Sequence, residues 1–157
     1  MQGVGGVFKV EIHTEKLDEF AKDLEKELKS VKGAKAGFYE GKKYPNGLEV
    51  AQNALIQEYG TDKIPARPFM RRTINKNQEK WKKYLEEHFD FELDNNTTLE
   101  QVMKQIGAIM AGDMKKSIDS NIPPPNSPET IKKKGSSHTL MDTGLLRQSI
   151  HSKVIKK

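Results

Sequence analysis

Two proline-rich stretches, residues 64–70 and 122–128, limit what this chain can fold into. Proline has no amide hydrogen to donate, fixes its own φ, and pushes the preceding residue toward an extended conformation. Neither stretch can therefore lie inside a helix or in a central strand. We expect both to be extended loops, with the regular elements before, between and after them.

Apolar residues recur at intervals of three and four outside these loops, which is the spacing of a helix with one buried face. The predicted helices cover 14–33, 48–59, 73–88, 97–120 and 128–135, and a short one begins near 145. Alternating apolar residues predict strands at 7–12, at 34–39 and at the end of the tail, near 150–155. The second predicted helix is expected to bury Leu48, Ala51, Leu55 and Tyr59.

Small polar residues are expected to cap these helices, because a side-chain oxygen can accept a hydrogen bond from a free amide of the first turn. The expected N-caps are Thr73, Thr97, Ser127 and Asp142, with Thr97 and Glu100 forming a capping box. Glycine is expected to end the first two helices, at Gly33 and Gly60.

The order of these elements predicts one α+β domain over residues 1–157. We expect a small, mostly antiparallel sheet packed against two or three helices, with extended Pro-rich loops. Apolar residues make up 34% of the chain and charged residues 31%, so the expected core is small. Residues 1–6 are expected to be a flexible start, and residues 121–144 a long interaction loop.

Charge lies in blocks within a net charge of +5. Residues 63–83 carry eight basic residues and one acid, whereas residues 84–103 carry six acids and no base. Alternating blocks are typical of a solvated surface. They equally suit a homo-oligomer in which the basic flank of one subunit faces the acidic flank of the next.

The sequence predicts no catalytic site, no cofactor and no metal, so we do not expect an enzyme. There is no cysteine, and the four histidines never lie at the spacing of metal ligands. Asp142-Thr143-Gly144 resembles the aspartic protease triplet but lacks the apolar strands that flank it there, so capping is its expected role. No apolar run is long enough to span a membrane, and we do not expect a membrane as a partner.

Two longer motifs carry a family resemblance. The first, within 50–74, contains Val-Ala-Gln-Asn, Glu-Tyr-Gly-Thr and Ile-Pro-Ala-Arg-Pro-Phe-Met-Arg. The second, within 122–150, contains Pro-Pro-Asn-Ser-Pro, Lys-Gly-Ser and Asp-Thr-Gly-Leu. Together they resemble the bacteriophage neck and tail-completion proteins related to minor tail protein Z and the phage virion morphogenesis proteins.

The resemblance implies a structural virion protein, made in the host bacterial cytoplasm and located in the tail or neck region. Such a subunit forms a ring, caps the tail and helps to join it to the head. The implied partners are further copies of the chain, expected as a hexamer, together with adjacent head-completion and tail tube or tail terminator proteins. Non-specific contact with packaged DNA is a further expectation.

The expected contacts lie in the two motifs, because stiff segments lose little entropy on docking and aromatic, Met and Arg residues are enriched in interface cores. The predicted interface residues are Ile64, Arg67, Phe69, Met70, Arg71, Arg72, Pro124, Pro125, Leu140, Met141 and Leu145. For Phe69 the alternative is that it anchors its loop to the core of its own chain.

Basic residues leave a second function open. Lys132, Lys133 and Lys134 are the expected contacts to DNA in the channel of a ring. The alternative is a basic DNA-associated protein that contacts DNA through 63–83 and 132–134. A small hydrolase is a third hypothesis, which requires a cluster of titratable residues that the sequence does not reveal.

Overall fold

The computed structural model describes residues 19, 21–23, 25–26, 29–95 and 97–156, without the side chains of 89–95. Its elements are strand β1 (Val31–Gly37), helices α1 (Val50–Tyr59), α2 (Phe69–Asn95), α3 (Leu99–Asp119), α4 (Pro128–Lys134) and α5 (Leu145–Gln148), and strand β2 (His151–Lys156). The described residues between 19 and 30 are helical and exposed. The predicted strand at 7–12 and the flexible start at 1–6 lie outside the described residues.

The sheet in the described part of the chain is antiparallel and two-stranded, with Ala34 of β1 opposite Val154 of β2. Helix α3 packs across both strands, and α2 packs along α3. A Cβ at Gly107 of α3 would lie 3.0 Å from the Cβ of Ser152, so the missing side chain permits this close approach. The α+β class with a small antiparallel sheet packed on helices is therefore confirmed.

The main core lies between α1, the start of α2, the second half of α3 and the C-terminal segment. Its buried members are Val50, Ala54, Phe69, Ala111, Met114, Ile118, Ile122, Leu146 and Ile150. The first proline-rich loop ends at Pro68, two residues earlier than predicted, because the buried Phe69 begins α2, and Ile122 begins the second loop. Each loop is thus anchored to the core at one end.

The predicted end of the first helix is wrong. Val31 is buried in β1, paired with Lys156 of β2, and Gly33 lies within the strand beside a register shift. The hydrogen-bonding partner of β1 is β2, which begins 120 residues further along the chain. Because that partner is distant in sequence, local spacing predicted a helix for residues that belong to the sheet.

Helix α1 ends at the predicted glycine, Gly60, but it begins at Val50 rather than at Leu48, and its buried face is not the predicted one. Val50, Ala54 and Glu58 are buried, whereas Leu55 is 60% exposed and Tyr59 63% exposed. The helix turns Glu58 inward because that carboxylate binds the first turn of α2, with Oε2 accepting from the amide of Met70 at 2.8 Å.

Two predicted N-caps are placed differently by the structure. Helix α2 begins at Phe69, so Thr73 lies inside it, where its buried hydroxyl donates to the carbonyl oxygen of Phe69 at 2.7 Å. The cap of α3 is Thr98, which forms a capping box with Gln101 one residue later than predicted. The positive end of α2 is capped from α1, which sequence spacing within α2 cannot reveal.

Of the two N-caps predicted for the short helices, the structure confirms one and contradicts the other. Ser127 caps α4 as predicted, with its hydroxyl accepting from the amide of Thr130 at 3.2 Å ahead of Pro128. Asp142 does not cap α5. Gly144 occupies the N-cap position at φ 78°, and the hydroxyl of Thr143 accepts from the amide of Leu145 at 3.3 Å.

Candidate functional site

A single buried arginine joins the two proline-rich loops. The Arg67 side chain donates from Nε to the carbonyl oxygen of Pro124 at 2.9 Å. Its Nη2 lies 3.3 Å from both the carbonyl oxygen of Pro125 and Oδ1 of Asn126, and Nη1 lies 3.4 Å from Oε1 of Gln57. We call this contact between residues 64–68 and 124–126 the Arg67 junction.

Burial changes the electrostatics of this guanidinium. Arg67 is only 6% exposed, and loss of solvent lowers the pKa of its side chain. A guanidinium nevertheless stays protonated in proteins, so its hydrogen bonds to the loop oxygens are charge-assisted. They offset the cost of burying the charge and fix one loop relative to the other.

Beyond the junction, the second loop is held by its own chain. The Asn126 amide donates from Nδ2 to the carbonyl oxygens of Ser137 and His138, at 3.3 and 3.1 Å. Thr139 is 1% exposed and donates from Oγ1 to the carbonyl oxygen of Ile122 at 2.8 Å. Hydrogen bonds within the chain therefore hold this loop in place.

A cleft of about 460 Å³ opens beside the junction. Its polar lining includes Tyr44, whose phenol oxygen accepts from Nδ2 of Asn53 at 3.0 Å. Burial raises the pKa of Tyr44, against the effect of the Asn53 hydrogen bond and together with the charge of Asp142. The phenol is thus neutral at physiological pH and acts as a hydrogen-bonding group rather than a base.

Lys134 lines the same cleft and donates from Nζ to the carbonyl oxygen of His138 at 3.1 Å. Burial lowers the pKa of Lys134, while the carboxylate of Asp142 opposes the shift. Leu140, another lining residue, has φ 61°, a conformation that a leucine rarely adopts. Side chains on the wall of the cleft are thus held by hydrogen bonds within the chain.

The structure divides the predicted interface residues by exposure. Arg67 and Phe69 are buried, and the ring of Phe69 meets that of Phe38 edge-on at a centroid distance of 6.0 Å. This is the alternative placement named for Phe69. Met70, Leu140 and Leu145 pack against the core of their own chain, and Ile64 and Met141 are half-buried. Arg71, Arg72, Pro124 and Pro125 are exposed.

The predicted DNA contacts also differ among themselves. Lys132 and Lys133 are exposed in the last turn of α4, whereas Lys134 is half-buried in the cleft. Only the first two are thus placed to meet a phosphate without giving up a contact within the chain.

A second buried charge fastens α2 to α3. Asp113 of α3 accepts hydrogen bonds from Nζ of Lys80 and, at 2.8 Å, from Nε1 of Trp81. Burial opposes ionisation of this carboxyl group, but the bonds from Lys80 and Trp81 and the charges of Lys80 and Lys116 together lower the pKa of Asp113. In the described part of the chain, no group of three or more His, Cys, Asp or Glu residues could hold a metal ion.

Sequence reasoning missed the surface formed by Leu55 and Tyr59, which it assigned to the core. The sequence did contain a signal, because Val50, Ala54 and Glu58 also share a helical face at intervals of four. Because that face includes a glutamate, the stripe that contains Leu55 and Tyr59 was predicted to be the buried one.

The chain matches no family model, no curated protein and no solved structure. No helix in the described part of the chain is both long and apolar enough to cross a membrane.

Proposed function

We propose that this chain is a structural subunit of a tailed-phage virion. It assembles with copies of itself into a ring at the neck or tail end, caps the tail and helps to join it to the head. The observation that carries the proposal is the Arg67 junction, because the two segments that resemble the neck and tail-completion proteins contact each other there, 57 to 59 residues apart in the chain.

The physical support is preorganisation. The guanidinium of Arg67 fixes one loop relative to the other. Exposed residues lie in the second loop, at Pro124 and Pro125, and in the first turn of α2 after the first loop, at Arg71 and Arg72. A surface that is already ordered loses less conformational entropy when a partner binds. This arrangement suits a subunit that must dock against neighbours in a fixed geometry.

Within this proposal the partners are further copies of the chain, in an expected hexamer, and the adjacent head-completion and tail tube or tail terminator proteins. Non-specific contact with packaged DNA through Lys132 and Lys133 remains part of the proposal. Placement in the virion follows from the same resemblance.

Removal of the gene from the phage genome that encodes it tests the proposal. Electron microscopy should show separate heads and tails or unstable tails, and a plasmid copy of the wild-type gene should restore joined particles. Immunogold labelling should place the chain at the neck or tail end. Normal infectious particles without the chain would contradict the proposal.

One observation supports the DNA-associated alternative. Arg72, Lys76 and Lys116 line a polar cleft of about 510 Å³ between α2 and α3, together with Ser117 and Ser120. Basic and hydroxyl side chains in one cleft are groups that contact phosphates.

Duplex DNA binding measured between about 50 and 200 mM salt tests this alternative, since affinity that rests on phosphate contacts falls steeply over that range. Variants R72A/K76A/K116A and K132A/K133A separate the two basic regions. Lys134 is kept, because it bonds within the chain. Loss of salt-dependent binding in either variant, combined with normal particles on gene removal, would favour the alternative.

A further inference from the structure

Two apolar side chains and one arginine form an ordered patch on the outside of the molecule. Leu55 and Tyr59 lie four residues apart on α1 and are 60% and 63% exposed. The guanidinium of Arg71 lies over the Tyr59 ring, 4.8 Å from its centroid. We call these three residues the outward face.

Contacts beneath the outward face hold Arg71 in place. Its Nε donates to Oε1 of Glu58 at 2.9 Å, and its Nη2 donates to the carbonyl oxygen of Glu58 at 2.8 Å. Glu58 is itself 3% exposed and bonds to the amides of Met70 and Arg71. Single exposed apolar residues are ordinary on protein surfaces. A fixed Tyr–Arg pair beside a leucine is instead typical of the residues that dominate binding energy at interfaces.

Charge along α2 indicates what covers this face. Arg72 and Lys76, one and five residues after Arg71 on α2, are exposed at the cleft between α2 and α3, whereas Glu86 and Glu87 are exposed further along the same helix. At about 1.5 Å per residue these groups lie about 15 to 22 Å apart along the axis. That exceeds the screening length of about 8 Å at physiological ionic strength, so they cannot neutralise each other within one chain.

The acidic end is only weakly paired within the chain. Lys82 lies 3.9 Å from Glu86, and Lys83 lies 3.6 Å from Glu87, with all four side chains more than half exposed. Exposed pairs of this kind contribute about 0–1 kcal/mol. Residues 84–103 carry six acids and no base in the sequence. Glu100 among them pairs with Lys156 at 2.8 Å, and the exposed Glu86 and Glu87 are the acids offered to a basic partner.

We propose that the outward face binds a second copy of this chain head to tail, with Arg72 and Lys76 against the Glu86–Glu87 region of that copy. The two contacting surfaces differ, so the contact is heterologous and each copy still has one surface of each kind available. Repetition closes a ring or extends a filament. This inference rests on the proposed function and specifies the surface through which neighbouring subunits meet.

The test measures self-association of the full chain by light scattering over a concentration series. The wild type should form oligomers, and Leu55→Glu should weaken association at least tenfold. Ala108→Glu is the matched control, because it places the same charge at an exposed alanine of α3 and should associate like the wild type. Circular dichroism confirms that each variant is folded.

Charge reversal tests the head-to-tail arrangement itself. R72E/K76E and E86K/E87K should each associate more weakly than the wild type. An equimolar mixture should associate more strongly than either variant alone, because the reversed basic surface of one then complements the reversed acidic surface of the other.

A wild type that stays monomeric at all concentrations, or that forms only a symmetric dimer, would overturn the inference. Normal association of Leu55→Glu would also overturn the inference. If that variant also failed to enter virions, another virion protein, rather than a second copy of this chain, would cover the outward face. In these cases defective particles on gene removal would leave the proposed function intact. Conversely, association through this face with normal particles on gene removal would overturn the proposed function alone.

Discussion

The Arg67 junction and the outward face reverse the usual distribution, in which polar side chains are exposed and apolar side chains are buried. At the junction the side chains of Arg67 and Asn126 are buried and hydrogen-bonded to loop oxygens. On the outward face Leu55 and Tyr59 stand in solvent. A buried polar group is tolerated only when it is paired, whereas an exposed apolar group costs the folded chain little.

Polar side chains thus fix the loops of this protein, while two of its large apolar side chains lie mostly in solvent. Substitutions in the junction should therefore reduce the free energy of unfolding. Substitutions on the outward face should leave it unchanged and alter association instead. Four measurements test this difference between the two regions.

The largest loss of stability is expected for Arg67→Ala, about 3 kcal/mol, because it leaves buried oxygens of the second loop without a donor. Urea unfolding followed by circular dichroism measures the change. Arg67→Lys is the matched control and should lose about half as much, since an ammonium group cannot reproduce the planar set of donors. A loss below about 1 kcal/mol for Arg67→Ala would show that the junction does not hold the loops.

Glu58→Gln should reduce stability by about 2 kcal/mol, because α2 loses the negative charge at its positive end and Arg71 loses its ionic partner. Glu79→Gln, an exposed change on α2, should stay within about 0.5 kcal/mol. The same unfolding measurement compares the two. Equal losses of stability in the two variants would mean that removal of any negative charge, rather than loss of the cap on α2, lowers the free energy of unfolding.

Asp113→Asn should cost about 1.5 kcal/mol at neutral pH, through weaker bonds to Lys80 and Trp81. The folded-state pKa of Asp113 lies below its ordinary value of 3.8. The ionised carboxylate thus stabilises the fold above that value, and the contribution is lost as pH falls through the folded-state pKa. The gap between wild type and variant should be full at pH 7 and shrink below about pH 4. A gap independent of pH would contradict this assignment.

The smallest change in stability is expected for Leu55→Ser and Tyr59→Ser, within about 0.5 kcal/mol when measured at concentrations where the chain is monomeric. Neither side chain belongs to the buried core. Both variants should nevertheless associate more weakly than the wild type. A loss above about 1.5 kcal/mol in the monomer would place these residues in the fold and remove the contrast.

Helix α1 separates what was predictable from what was not. Its C-terminal end at Gly60 follows from local spacing and was predicted, whereas its start at Val50 lies two residues later than predicted. Its buried face was predicted wrongly, because apolar residues at 50, 51, 54 and 55 form two overlapping stripes. The choice between them depends on Glu58, whose partners, the amides of Met70 and Arg71, belong to the next helix.

The candidate site shows the same division. The proline-rich segments were recognised as loops, and residues from both do lie at one site. That Arg67 would be buried between them was not predictable, since its acceptors in the second loop lie 57 to 59 residues away. The capping box of α3 was misplaced by one residue because Thr97 and Thr98 are adjacent and both are eligible caps.

Features that act within a few residues follow from the sequence alone: the proline-rich loops, the end of α1 at Gly60, the Ser127–Pro128 start of α4 and the blocks of charge along the chain. These depend on sterics and on hydrogen bonds to neighbouring amides, which short segments specify. Only the tertiary structure decided that Arg67 and Glu58 are buried while Leu55 and Tyr59 are exposed. The reason is that a charged side chain can be buried only where distant backbone groups pair with it, and chain folding alone brings those groups together.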